Sequence, residues 1–213
     1  MDAICLILSG AGGFADAGSF MLIRTFTGHV TGNGLLTAVY LVKGEFSVAL
    51  LCALAVVAFM SGTAAGTGWQ HEGVTPSASM MKPLFVEFVM IAVGLVVFAL
   101  GGVAGKVLLA VAVCFALGLR NGTLNRLGSV SIHSTYITGM ATSLVGAVFK
   151  GERDARRVLQ KVIAGFLAGA LVGAFLVERF GEAGYALVLL PIGVALGLSA
   201  LSWRRCGRGL WAE

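Results

Sequence analysis

The chain has 213 residues, 58% of them hydrophobic and 12% charged, with a mean hydropathy of +0.94. A soluble domain carries about 25% charged residues, and 15 basic and 10 acidic side chains cannot clothe a chain of this size in water. Soluble enzymes, nucleic-acid binders and disordered chains are excluded, and the expectation is an all-α integral membrane protein in a lipid bilayer.

Six apolar segments have the length, about 20 residues, that crosses a bilayer as a helix: 2–23, 46–69, 83–102, 106–126, 158–177 and 184–203. The first opens with Ala3–Leu8, which no basic residue precedes and which continues into a patterned segment, so it reads as a retained helix rather than a signal peptide. Two shorter stretches, 31–43 and 138–149, read as half-helices. At helical rise each covers only about 20 Å of a hydrocarbon core about 30 Å thick. The long polar connection Gln70–Pro83 holds His71 and Glu72. Cys5, Cys52, Cys114 and Cys206 lie far apart without metal-ligand spacing and read as small buried hydrophobes. Neither a metal nor a cofactor is expected.

Two halves, 1–102 and 103–213, carry the same marks in the same order. Gly13-Phe14-Ala15-Asp16-Ala17 aligns with Gly118-Leu119-Arg120-Asn121-Gly122 at an offset of 105. Val30-Thr31-Gly32 aligns with Ile137-Thr138-Gly139, and Lys43-Gly44 with Lys150-Gly151, at 107. Phe59, Gly62 and Gly66 align with Phe166, Gly169 and Gly173 at the same offset. The expected fold is therefore two homologous repeats, with six full-length helices and two half-helices opened by Thr-Gly. If the half-helices re-enter, each repeat crosses three times and the copies are inverted. If extended residues such as Thr25–Val30 complete a crossing, each repeat crosses four times and the copies are parallel.

The net charge of +5 reflects topology rather than nucleic acid. Lys150, Arg153, Arg156, Arg157 and Lys161 precede the fifth long segment, and Arg204, Arg205 and Arg208 follow the sixth. Two crossings separate these clusters, so the positive-inside rule places both, and the C-terminus, on the cytoplasmic side. Four crossings per repeat would also put Lys43 and Lys106 there.

Polar groups inside a bilayer are costly and ask for a partner or a task. Asp16 lies among glycines in the first helix, with Asn121 as its repeat counterpart and Arg120 beside that. Two such patches meeting at a pseudo-symmetric centre would bring Asp16 near Arg120, as a substrate or proton site or as a structural ion pair. Thr31-Gly32-Asn33 and Thr138-Gly139-Met140 open the half-helices, where Thr suits the N-cap. Two such N-termini facing the centre would offer free N–H groups and dipoles to an anion or polar group. His29, His133, Glu87 and Asp16 are the candidates for proton coupling, with Lys82 as an alternative partner for Glu87. Gly62/Gly66, Gly165/Gly169/Gly173 and Gly193/Gly197 have the small-xxx-small spacing of close helix packing. No P-loop, HExxH, GxSxG or CxxC occurs, and the chain is not expected to be an enzyme.

The motifs Gly13–Ala17, Val30-Thr31-Gly32-Asn33, Gly118–Gly122 and Tyr136-Ile137-Thr138-Gly139 resemble the signature of the YoaK family, small bacterial inner-membrane proteins grouped under a domain of unknown function. The resemblance covers nearly the whole chain. It departs at Arg120, where glutamine is expected. What it implies is class and location rather than a reaction. The extended-segment-then-half-helix pattern is also similar to the core repeats of nucleobase and sulfate permeases, whose additional gate helices this chain lacks; a homodimer would compensate. The sequence thus points to a secondary carrier of a small polar, expected anionic, solute, coupled to protons. Asp16, Thr31, Gly32, Asn33, Arg120, Asn121, Thr138 and Gly139 would form its site. The alternative is a non-transporting scaffold or accessory subunit whose polar centre specifies helix assembly.

Overall fold

The computed structural model describes residues 2–68, 80–123 and 137–209, and all secondary structure among them is helical. The elements are α1 (Asp2–Ile23), α2 (Val30–Val42), α3 (Phe46–Thr67), α4 (Met81–Ala99), α5 (Gly102–Thr123), α6 (Ile137–Phe149), α7 (Arg153–Ala186) and α8 (Leu189–Gly209). Five of them, α1, α3, α4, α5 and α7, are long and apolar enough to cross a membrane. The two expected half-helices are present as 13-residue elements, α2 and α6.

The largest departure from the expected segments is in the last third. α7 runs beyond the predicted 158–177 at both ends, and its helix breaks at Gly181, with φ 55° and ψ −128°. The chain reverses there, so that Gly184 lies on the Leu176 carbonyl of the preceding turns. Residues 187–190 then continue through tight bonds, Leu187 N–H to the Gly184 carbonyl and Leu190 N–H to the Leu187 carbonyl. The expected segment 184–203 is thus interrupted near its start, and only Leu189–Trp203 of it is a regular apolar helix.

Two helix pairs dominate the packing, α1 with α7 and α3 with α5. Both are seamed by glycine. A Cβ on Gly13 would fall on the Phe166 carbonyl, and on Gly169 or Gly173 it would fall on Gly10 or Phe14. In the other pair, Gly62 and Gly66 lie against the carbonyls of Phe115 and Leu119, and Gly118 and Gly122 against those of Phe59 and Thr63. Without Cβ atoms the backbones approach closely enough for dispersion to hold helices that gain no hydrophobic drive in lipid. Gly193 makes only an ordinary contact with Phe88, and Gly197 has open space around it. The packing role expected there does not appear.

α2 and α6 end in the same motif. The Gly44 N–H donates to the Leu41 carbonyl and the Glu45 N–H to the Tyr40 carbonyl. Gly151 and Glu152 repeat this toward Val148 and Ala147. This is the Schellman closure, and its left-handed C′ residue favours glycine; Gly44 has φ 73° and Gly151 φ 71°.

Candidate functional site

The residues between α1 and α2 form a short non-helical connection. Thr25, Thr27 and Gly28 in it are buried, and buried backbone must find hydrogen-bond partners. Asp16 supplies two of them. Its Oδ1 accepts from the Thr27 N–H at 2.8 Å, from the Gly28 N–H, and from the Thr27 hydroxyl at 3.2 Å. Its Oδ2 lies 3.4 Å from His29 Nδ1. Asn33 latches the same connection from the first turns of α2. Its Oδ1 accepts from the Phe26 N–H at 3.0 Å, and its Nδ2 donates to the Phe26 carbonyl at 2.7 Å. The Cys114 thiol reaches that carbonyl from α5, and the Cys52 thiol reaches Thr25 Oγ1 and the Arg24 carbonyl from α3. Cys5, Cys52 and Cys114 are buried as expected, and two of them also hold backbone in place.

This arrangement revises the expected cap. His29, not Thr31, is the N-cap of α2, and it makes no side-chain cap bond. Thr31 is exposed, and Gly32 lies against the Phe26 ring. The carboxylate of Asp16, from another helix, binds the N–H groups of Thr27 and Gly28 just ahead of the N-cap, so an anionic side chain of the chain itself stands beside this N-terminus. His29 lies in the connection, outside the spanning helices. Its hydrogen bond to Asp16 raises its pKa above the ordinary imidazole value, against the opposing effect of burial.

Asp16 and Arg120 do not meet. Arg120 is fully buried and pairs with Glu87 on α4, Nη1 to Oε1 at 2.8 Å. Glu87 is therefore neither a surface partner of Lys82 nor a lone acid, and both members of the pair are inaccessible to solvent. Asn121, beside Arg120, has a buried Oδ1 without a hydrogen bond. Thr138 is exposed and Gly139 half-buried in α6, while His133 lies outside the described residues. Tyr185 was not expected from sequence. It is fully buried, contacts the Phe14 ring, and would collide with a Cβ on Gly18, two residues after Asp16. A lone tyrosine in an apolar segment was the available signal. At the outer end of the connection, Arg24 pairs with Glu45 at 2.6 Å and stacks over the Tyr40 ring at 4.7 Å. The ends of α1 and α2 and the start of α3 therefore lie together.

The fold and these buried polar groups define an all-helical protein of the membrane class, with irregular backbone and an ion pair inside its bundle. The chain belongs to the family described as Protein of unknown function (DUF1275), whose model matches residues 4–201. No curated protein and no solved structure matches it, so the likeness to permease cores rests on local pattern alone.

Proposed function

We propose that this protein is a small secondary carrier of a polar solute in a bacterial inner membrane, of the YoaK type, built from two inverted copies. The observation that carries this reading is the depth of the 24–29 connection. Arg24 follows Asp16 by eight residues, about 12 Å along a helix. The Asp16 bonds to Thr27 and Gly28 therefore set the start of α2 about that far beneath the Arg24–Glu45 pair. α2, about 20 Å long, then returns to Glu45. The half-helix enters and leaves on one side, which favours three crossings per copy over four. In a bilayer, non-helical backbone is tolerated only where protein buries it or a cavity adjoins it. Interrupted helices at matching places in two halves are the usual setting of a transporter's site.

The inverted duplication is supported by the paired Gly turns at 44 and 151, and by the two glycine seams that exchange partners between halves. With six crossings, the basic clusters 150–161 and 204–208 share one side, and Arg24, Lys43 and Lys106 the other. The positive-inside rule makes the first side cytoplasmic. Within the site, Asp16 and Asn33 hold the connection, and Arg120 and Asn121 remain to meet solute.

The test is flux through purified protein in liposomes against a panel of charged and neutral solutes, with and without a pH gradient. The carrier reading expects protein-dependent uptake of at least one solute, lost in Arg120→Gln. A well-folded protein that carries none would favour the scaffold alternative. That alternative draws its support from the full internal use of the Asp16 carboxylate.

A further inference from the structure

Among the described residues, one ion pair takes no part in holding the 24–29 connection. Arg120 and Glu87 are both 0% exposed and joined by a single contact, Nη1 to Oε1 at 2.8 Å. Their other polar atoms, Nε and Nη2 of Arg120 and Oε2 of Glu87, carry no hydrogen bond. Nη1 is the guanidinium nitrogen on the Cδ side, so Nε and Nη2 form the opposite edge, a fork of two parallel N–H donors. Oε2 shares a carbon with Oε1 and is a free acceptor next to that guanidinium. Two donors on the guanidinium and one acceptor on its carboxylate partner are thus left without hydrogen bonds in a desolvated interior, where unmade hydrogen bonds are costly.

Charge selects what they suit. The pair is already compensated, and an anion on the fork would add an unbalanced charge beside Glu87, which a low-dielectric interior penalises. Beside the start of α2, the other expected anion seat, the Asp16 carboxylate already stands, bonded to Thr27 and Gly28, and its charge opposes a second anion there. We infer that Arg120 and Glu87 form a binding site for a small net-neutral solute of the amide or urea class. The solute's carbonyl oxygen accepts from Nε and Nη2 of Arg120 while its neighbouring N–H donates to Glu87 Oε2. This rests on the carrier reading and replaces the anionic solute expected from sequence with a neutral one. Glu87, expected to serve in proton coupling, becomes half of the recognition edge.

Full-length protein in nanodiscs is tested by saturation-transfer NMR against acetamide and hydantoin, which are neutral, and acetate, which is an anion of similar size. The expected result is saturation of both neutral probes by the wild type, with acetate at least tenfold weaker. The double variant Glu87→Gln/Arg120→Gln keeps a neutral, similarly sized interior and loses the neutral probes by tenfold or more. Glu87→Gln alone leaves the guanidinium uncompensated and reverses the preference toward acetate. Size-exclusion profiles matching the wild type establish that each variant folds. Wild-type preference for acetate, or neutral-probe signals unchanged in the double variant, would overturn the inference while leaving the carrier reading intact. Loss of all binding together with absence of flux for any solute would instead remove the carrier reading itself.

Discussion

The Asp16 carboxylate of α1 ties down the connection just ahead of α2, with its Oδ1 2.8 Å from the Thr27 nitrogen and a second bond to the Gly28 N–H. One oxygen thus serves two buried backbone donors and the Thr27 hydroxyl. Asp16→Asn keeps an oxygen in that position and should fold, with weakened bonds, since charge-assisted hydrogen bonds are about twice as strong as neutral ones. Asp16→Ala leaves both N–H groups buried without an acceptor, at about 1–3 kcal/mol each. Thermal unfolding in detergent should rank wild type above Asn and Asn well above Ala. Equal stability of Asn and Ala would mean that the side-chain oxygen at position 16 does not hold the connection.

The Arg24–Glu45 pair is half-exposed, and isolated surface pairs contribute about 0–1 kcal/mol, so its removal should change stability little. Its value is as a marker of side. Single cysteines at Arg24, Lys43 and Lys106, in a background with the native cysteines replaced, should react with an impermeant maleimide from one side of the membrane. Cysteines at Lys82 and Lys161 should react only from the other, and Thr27→Cys should be protected. Labelling of the position-24 and position-43 cysteines from opposite sides would restore the four-crossing arrangement.

Much of this was legible in the sequence, for physical reasons. Span lengths follow from composition, and the half-helices from being too short. Lys43-Gly44 and Lys150-Gly151 could be matched because a left-handed helix end favours glycine in both places. The partners of Asp16 were not legible. A sequence places Asp16 and Arg120 on related motifs, but which side chains meet depends on helix rotation, and α4 turns Glu87 inward to take Arg120. Thr31 read as a cap because local rules favour threonine there. The N-cap is His29, without a side-chain cap bond, and a carboxylate from α1, eleven residues before Thr27, holds the connection ahead of it. A long-range bond of this kind has no local signature.

The glycine seams make a sharper stability prediction. Alanine at Gly13, Gly62, Gly118 or Gly169 sets a methyl on a backbone carbonyl, which cannot yield as a side-chain tip does. Each should cost about 1–3 kcal/mol, the usual range for overpacking. Gly34 and Gly146 lie in helices with nothing near their Cβ positions. Alanine there should be neutral, or stabilising by up to about 1 kcal/mol through helix propensity. Thermal unfolding of the six single variants would separate the two groups, and overlapping values would argue against close packing at the seams.

His29 provides the pH dependence. Its hydrogen bond to Asp16 raises the folded pKa above the ordinary value of about 6.5. A raised pKa means that the native state holds the proton more tightly than the unfolded chain does. The stabilisation is fully present below the ordinary value and is lost as pH rises through the raised one. NMR titration of His29, with His71 and His133 replaced by glutamine, should give a midpoint above 6.5 in the wild type and a lower one in Asp16→Asn, which removes the negative partner. The neutral imidazole can still meet Oδ2, so the connection should hold at high pH, with Thr27 and Gly28 remaining on Oδ1. Deprotonation then loosens the Asp16–His29 contact without freeing the start of α2. Backbone amide exchange at Thr27 and Gly28 should accordingly stay slow across the His29 titration. Fast exchange above it would show that the imidazolium, rather than the carboxylate's own backbone bonds, keeps the connection in place.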